Sequence, residues 1–501
     1  MEFVRNFPLL TIILSLVSSV LCTLLGGKAA KRYTVILETL LILMAGAVLA
    51  YTIRTGTSFT YVMGEFPAPW GNEIRAGVLE ALMAVMLLTV LLCGVQGGWR
   101  FLELDVERSK HNLYFSLVNL FTAALMALIW TNDIFTGYVF LEIMTLASCG
   151  LIVAREIGRT TLAAVRYMIL NLLGSGLFLL GVVMLYNLTG HLLMVPMAGA
   201  VSELVEEVAQ MPLTFALAMI TIGLGIKSGM FPFYFWMPDT YGASTATSSV
   251  VLSSLVSKAY IFLLFKILFR AIGAEIYVAL PIRTILLLLG VLGMAAGSVS
   301  AIRSGSLNRM VAFSSAAQIG YIFMGLGLGT EAGFTAALFQ ILVHAVTKSL
   351  LFLTTPRLSL VSGDSMLFPR IQGSGRRAKD AGVFFTVAAL SMVGIPVFAG
   401  FSAKLFFAVA AVDTGRPWVI LAVMAALGVS SVLNVLYFIR TVIRIYAKPQ
   451  DAGPEEPYPV PKELRRQYRA SAAVLTGLNL FLGLFSWVTA DLIRQGLSMF
   501  G

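Results

Sequence analysis

The sequence predicts an all-α integral membrane protein of about 14 transmembrane helices, with two inverted five-helix repeats and broken helices 7 and 12. Three observations carry this expectation. Hydrophobic residues make up 58% of the chain and charged residues 12%, and mean hydropathy is +0.89, far outside the range of water-soluble chains. Apolar stretches of about 20 residues, the length needed to cross the hydrocarbon core, recur almost without pause. Two of these stretches are interrupted by glycine and proline beside a lysine.

The stretches lie near 8–26, 34–53, 77–95, 112–130, 133–153, 161–188, 213–230, 243–270, 280–299, 306–329, 332–354, 381–411, 417–446 and 470–492. No hydrophilic segment between them is long enough for a soluble domain, so residues 1–501 read as one polytopic membrane domain. The first stretch has no small-residue cleavage pattern and is expected to be retained. At 1.5 Å per residue the stretch 243–270 would be about 42 Å long against a core of about 30 Å, too long for a plain helix. The seventh runs GLGIKSGMFPFYFWMPD, with Gly229, Pro232 and Pro238 after Lys227. The twelfth runs SMVGIPVFAGFSAKLFF, with Gly394, Pro396 and Gly400 before Lys404. Proline removes a backbone donor and clashes with the preceding turn, so both helices should break there. A break at membrane depth is tolerated only where it is buried in protein or lines a wet cavity. Two such breaks, five helices apart and each with one lysine, suggest inverted repeats over about 112–270 and 280–446. The flanking helices would then be 1–95 and 470–492.

The net charge of +10 might suggest nucleic acid, but topology explains the basic residues better. With the N-terminus outside, 22 of the 35 lysines and arginines fall in inside connections, from Lys28, Lys31 and Arg32 to Arg465, Arg466 and Arg469. Seven fall outside or at outer helix ends and six within spans. The positive-inside rule then places both termini outside a plasma membrane, and the acidic segment with Glu203, Glu206 and Glu207 outside as well. Cys22, Cys93 and Cys149 are isolated, without the paired spacing of a zinc or iron–sulfur site or a disulfide framework. No glycine-rich nucleotide loop follows a strand, and no cofactor is expected in this chain.

Five ionisable residues lie inside apolar stretches: Glu142, Lys227, Lys258, Lys348 and Lys404. A charge at mid-membrane costs roughly 2.5–3.5 kcal/mol on insertion scales, so a segment that only had to span would carry leucine. Together they read as a route for protons. His344 lies four residues before Lys348, on the same helix face, and imidazole suits a relay. The competing reading makes each a satisfied structural group: a carboxylate at Glu142, a plug at a helix break for Lys227 and Lys404, a packing histidine at 344. Lys266 and Glu80 are near enough to span ends to snorkel and stay outside the expected path, and His111 and His191 should be interfacial.

At these residues the chain resembles a known family. The segment TNDIFTGYVFLEIMTLAS around Glu142 resembles the fifth-helix motif of antiporter-like membrane subunits. These are the D-type component of multisubunit Na+/H+ antiporters of the Mrp class, its relatives in membrane-bound hydrogenases, and the three large proton-pumping subunits of respiratory complex I. The resemblance continues through GIKSGMFPFYFWMPD, LVSKAYIF, LNRMVAFSSAAQIGY, ILVHAVTKSLLFL and GSGRRAKDAGVFFTVAALSMVGIPVFAGFSAK, covering roughly residues 60–410. GEFPAPWGNEIRAGVLEALMAVML, the lysine at 404 and the GRR loop lean toward the Mrp D-type or hydrogenase branch. Two departures stand out: Tyr241 and a proline-free DTYGASTATSSV replace an expected histidine and proline run, and Gln318 stands where many members have histidine. Hand-off near the seventh and eighth helices would then fall to water, Tyr241 or serine and threonine hydroxyls.

The resemblance implies a proton path of Glu142, Lys227, Lys258, His344, Lys348 and Lys404, with Glu142 and Lys227 paired. Desolvation makes a buried lysine release its proton more readily, and a nearby carboxylate holds it on, so such a pair is a latch. The implied function is a proton- or cation-translocating subunit of a multisubunit cation/proton antiporter. The alternative is a proton-pumping membrane-arm subunit of a redox-driven complex, of hydrogenase or NADH-quinone oxidoreductase type, its redox centres on other chains. An inert membrane scaffold is a third class, against which the buried charges argue. Expected partners are other membrane subunits, the lipid bilayer, protons and, as a second candidate ion, Na+, with no role for nucleic acid.

Overall fold

The computed structural model describes residues 2–66, 71–206, 210–448 and 462–500. Pro67–Trp70 of the GEFPAPW run, Glu207 of the acidic segment and most of the 448–469 connection lie outside the described residues.

The chain is a helical membrane bundle. It opens with α1 (Phe7–Leu24) and α2 (Gly27–Thr55), then a small hairpin of β1 (Phe59–Val62) and β2 (Glu73–Ala76), antiparallel with Phe59 opposite Ala76. Then follow α3 (Val78–Asp105), α4 (His111–Trp130), α5 (Ile134–Val153), α6 (Gly158–Thr189) and the short α7 (Met194–Glu206). The seventh stretch is α8 (Gln210–Ser228) and, after the break, α9 (Met237–Ala243). The eighth is α10 (Ala246–Val251) and α11 (Ser257–Lys266), with π-helical turns at Leu252–Val256 and Ile267–Ala271. After α12 (Ala274–Ala279) come α13 (Ile282–Ile302), α14 (Leu307–Leu328), α15 (Glu331–Leu360) and α16 (Ser374–Arg377). The twelfth stretch is α17 (Lys379–Val393) and α18 (Ala399–Asp413). α19 (Pro417–Asn434), a π turn at Val435–Ile439 and α20 (Arg440–Tyr446) form the thirteenth, and α21 (Lys462–Leu484) and α22 (Ser486–Ser498) close the chain.

Among the described residues twelve helices are long and apolar enough to cross a membrane, thirteen if the last bent pair is one span, against the expected 14. The difference has two physical sources. The stretch 381–411 is divided into two 15-residue helices at Gly394–Pro396, each too short to span by itself. The stretch 470–492 is not straight: it turns by 79° between Leu484 and Ser486. The expected breaks are present in both lysine-bearing stretches, with Gly229 at φ +78° and Gly394 at φ +90°, backbone that a side chain rarely adopts.

The helices differ in what surrounds them. Every residue of the apolar windows in Ala246–Ala271 and Glu331–Leu360 is buried, against 28% in Pro417–Tyr446 and 39% in Gly158–Thr189. The enclosed helices are those that can carry polar chemistry. On one face of the bundle the arginine-rich connections are tied together: Arg155 to Asp105 at 2.9 Å, Arg166 and Arg309 to Asp239 at 2.7 and 2.9 Å, Arg469 to Asp380 at 2.9 Å.

α13 and α14 approach closely along glycines. A Cβ on Gly320 would meet Gly290 O and Met294 N at 2.6 Å, backbone that cannot move aside. Gly320→Ala should therefore force the two helices apart and cost about 1–3 kcal/mol, the usual penalty for overpacking. The unfolding midpoint of the solubilised protein reads this, and an unchanged midpoint would refute the tight crossing.

Candidate functional site

Glu142 projects from the middle of α5, whose N-terminus is capped by Asp133 accepting from Thr136 N at 2.5 Å. Lys227 is the last but one residue of α8, directly before the break. The two meet: Lys227 Nζ is 3.2 Å from Glu142 Oε1. Nζ also donates to Thr145 Oγ1 at 2.9 Å and lies 5.5 Å from the centre of the Tyr260 ring. Ser175 of α6 donates to the same Glu142 oxygen. Lys227 is fully buried, whereas 24% of the Glu142 side chain is exposed, so the carboxylate is the open side of the pair.

Lys258 stands on α11 just beyond the first π turn and donates to Ser253 O within that turn. Lys348 donates to Val311 O at 2.8 Å and Ser314 Oγ at 2.5 Å, both on α14. His344 is buried one turn before Lys348, and neither ring nitrogen has a partner among the described residues. Ser349, next to Lys348, donates to Ser254, next to the Ser253 whose carbonyl holds Lys258, so the two lysine-bearing helices meet here. Lys404 is half-buried and donates to Val393 O at 2.6 Å, the last residue of α17, and to Ser431 Oγ at 2.9 Å. A cavity of about 10 Å³, near the smallest that holds a water molecule, is lined by Gln318, Gln340, His344, Thr347, Ser391 and Lys404. The six expected residues thus fall into three groups: Glu142 with Lys227, then Lys258 with His344 and Lys348, then Lys404 across the small cavity from His344.

The departures from the family pattern occupy definite places. Tyr241 is buried, its hydroxyl 3.3 Å from Ser257 Oγ, and Ser349 donates to Ser254 at 2.9 Å. Gln318 accepts from Gln340 at 2.5 Å on the wall of the small cavity. On the arginine-rich face a cavity of about 1130 Å³ opens between α3, α6, α9, α14 and α15 and reaches Ser244 and Ser249.

Two expectations are corrected. Lys266 and Glu80 do not snorkel. Lys266 is fully buried and donates to Ile129 O at 2.9 Å, Leu128 O at 3.3 Å and Thr131 O, the carbonyls at the end of α4. Glu80 pairs with Arg270 at 2.6 Å, both side chains 1% exposed. Nearness to a span end implies access to water only for a helix on the outside of the bundle, and α11 is enclosed. His111 likewise is buried, its Nε2 3.0 Å from Val106 O, while His191 is exposed. One fully buried carboxyl stands outside every sequence expectation: Glu38, in α2 against Thr122 at 2.7 Å. Its signal is present, since VILETLLIL places a carboxylate in an apolar run as plainly as the segment around Glu142 does.

A many-helix membrane bundle with broken, lysine-bearing helices around an enclosed row of charges defines a multi-pass ion-handling membrane protein. Residues 131–429 match the NADH:quinone oxidoreductase/Mrp antiporter transmembrane family, and the chain belongs to that family. It is 33% identical over 469 residues to NADH-quinone oxidoreductase subunit N of Desulforudis audaxviator, covering 92% of this chain and 91% of that relative. It is 25% identical over 489 residues to the D-type component of the Na(+)/H(+) antiporter of Bacillus subtilis, covering 97% and 95%. Its fold is also that of a chain in the membrane-bound sulfane sulfur reductase, an archaeal respiratory membrane complex. There the TM-score is 0.87 at 24% identity, over 100% of this chain and 98% of that one.

The buried Glu80–Arg270 pair makes a stability prediction. Arg270→Met leaves the carboxylate uncompensated and should cost about 3–5 kcal/mol. Adding Glu80→Gln removes that charge and should restore part of the loss. Thermal unfolding of the solubilised protein measures both, and a double variant no more stable than Arg270→Met would contradict the pairing.

Proposed function

We propose that this chain is a proton-translocating membrane subunit of a multisubunit cation/proton antiporter, and that Glu142, Lys227, Lys258, His344, Lys348 and Lys404 carry the protons. The observation that carries this reading is Lys227: fully buried, at a helix break, 3.2 Å from a carboxylate that is partly open. With Glu142 close, the ammonium is held charged. Drawn away, it is left desolvated without its counter-charge and gives its proton up. Tyr260 of α11 shares Thr145 with Lys227 and so ties the pair to the helix that also carries Lys258. His344, whose ring nitrogens have no partner among the described residues, stands one turn from Lys348 and lines a water-sized space with Lys404. The 1130 Å³ cavity suits a supply route, and Tyr241, Ser257, Ser254 and Ser349 stand where an imidazole was expected. The parallel breaks beside Lys227 and Lys404 support reading 112–270 and 280–446 as inverted repeats.

A second reading is a proton-pumping subunit of a redox-driven complex. The 33% identity to the oxidoreductase relative, against 25% to the antiporter relative, favours it. Both readings use the same path and place other membrane subunits beside this chain, with Na+ as a second candidate ion in the first.

Lys227→Ala, Lys404→Ala and Glu142→Ala should each abolish coupled flux while leaving assembly intact, because removing a mid-membrane charge relieves its insertion cost. Lys227→Arg should fail too, since a guanidinium does not give up its proton. Glu142→Asp should keep part of the activity. Proton or sodium flux in vesicles holding the assembled complex is the measurement, and normal flux in Lys227→Ala at normal subunit levels would sink the relay.

The orientation in a bacterial plasma membrane is proposed with both termini outside. Ser374 is buried, so the exposed Lys379 is the better reporter of the inner side. On intact cells an impermeant thiol reagent should label Ser498→Cys and not Lys379→Cys, and the opposite pattern would reverse the topology.

A further inference from the structure

Outside the central row Glu38 is a carboxyl with no exposure and no cation beside it among the described residues. It lies at mid-length of α2, and its Oε2 has no partner among the described residues. Its Oε1 lies 2.7 Å from Thr122 Oγ1, which also lies 2.9 Å from Val118 O. A hydroxyl has one proton, and two acceptors compete for it. The arrangement is satisfied when Thr122 donates to Val118 O and a proton on Glu38 donates to Thr122. Glu142 meets Ser175 in a similar way but has the Lys227 ammonium as compensation. Glu38 has none, and an ionised carboxylate in that position has nothing to offset its desolvation.

Below Glu38 the interface of α1, α2 and α4 is polar. Asn119, one turn from Thr122, donates to Cys22 Sγ at 3.1 Å and leaves its Oδ1 without a partner among the described residues. Thr34, one turn from Glu38, is 3.8 Å from the same sulfur. Ser19 and Ser116 meet at 3.3 Å on the same side of Glu38. On α2 the next buried residues beyond Glu38 are the apolar Leu41, Met44, Ala45 and Val48, before Thr52, whereas on α1 buried polar groups continue through Ser15 to Thr11, which accepts from Trp130 Nε1 at 3.2 Å. The carboxyl therefore sits within a polar interface of three helices.

We infer that Glu38 is a second proton-binding carboxyl, set in the polar interface of α1, α2 and α4 and separate from the central row. A proton fits better than Na+, because a hard cation needs a shell of oxygen ligands and a thiol sulfur stands among the polar groups of this interface. The inference rests on the proton handling proposed above.

The test uses membranes holding the assembled complex. Lipid-soluble dicyclohexylcarbodiimide adds protonated carboxyls to its C=N bond, the acid proton passing to nitrogen. Peptide mass mapping should find the adduct on Glu38, and Na+ at constant pH should not protect it. In infrared spectra the carbonyl band of a protonated acid should shift in D2O and be missing in Glu38→Gln. No adduct at Glu38, a spectrum unchanged by Glu38→Gln, or an acid band that D2O leaves unmoved would overturn the inference. Protection by Na+ would overturn the proton as occupant. None of these readouts uses flux, so they stand apart from the outcome at Lys227.

Discussion

A buried ammonium group in a bilayer has no water to accept its protons, and most of this architecture follows from where acceptors are found. An unbroken α-helix uses its carbonyls internally and offers few. Here several come from interruptions. Lys258 takes Ser253 O inside a π turn, Lys404 takes Val393 O at the end of α17, and Lys266 takes three carbonyls where α4 ends. Helix C-termini favour cations through the aligned peptide dipoles as well. Breaks, π turns and helix ends thus support Lys258, Lys404 and Lys266, whereas Lys348 takes Val311 O and Ser314 Oγ within α14 and Lys227 takes the Glu142 carboxylate.

The same constraint sorts the helices. α10, α11 and α15 are enclosed by protein and hold Lys258, Lys266, His344 and Lys348. α1, α6, α13 and α19 present leucine, valine and isoleucine outward and carry no lysine at mid-span. Hydropathy follows this division only in part: the two enclosed spans score 1.8 and 1.7 against 2.2 to 2.4 for the four outward ones, yet Val78–Asp105 is 83% buried at 2.5 and Ile134–Val153 only 44% buried at 1.7. Enclosure is a property of packing order, which a window average reflects incompletely.

That distinction explains what the sequence discloses and what it does not. The breaks at Gly229–Pro232 and Gly394–Pro396 are legible because proline and glycine act locally, and the lysines beside them are legible as charges in apolar runs. The meeting of Glu142 with Lys227 comes from family resemblance, as spacing alone cannot place α5 against α8. The burial of Lys266 and Glu80 escapes the sequence because distance to a helix end says nothing about which neighbours stand there. The 79° turn after Leu484 escapes it because FLGLFSWVTA is continuous and apolar, with no proline to mark it. Glu38 is legible as a charge in an apolar run, yet it has no lysine-bearing break beside it to set it apart from a snorkelling carboxylate.

The acceptors also divide the proposed path into two kinds of position. A neutral carbonyl or hydroxyl accepts from an ammonium and from an amine, more strongly from the ammonium, but it supplies no counter-charge. A carboxylate accepts far more strongly from the ammonium, since bonds between ionised partners are roughly twice as strong as neutral ones. Lys258, Lys348 and Lys404 are held by carbonyl and hydroxyl oxygens, whereas Lys227 alone among the path lysines is held by a carboxylate. On the proposed path Lys227 is therefore the position where the distance to a counter-charge would set the protonation state, at the contact between α5 and the end of α8 beside the helix break.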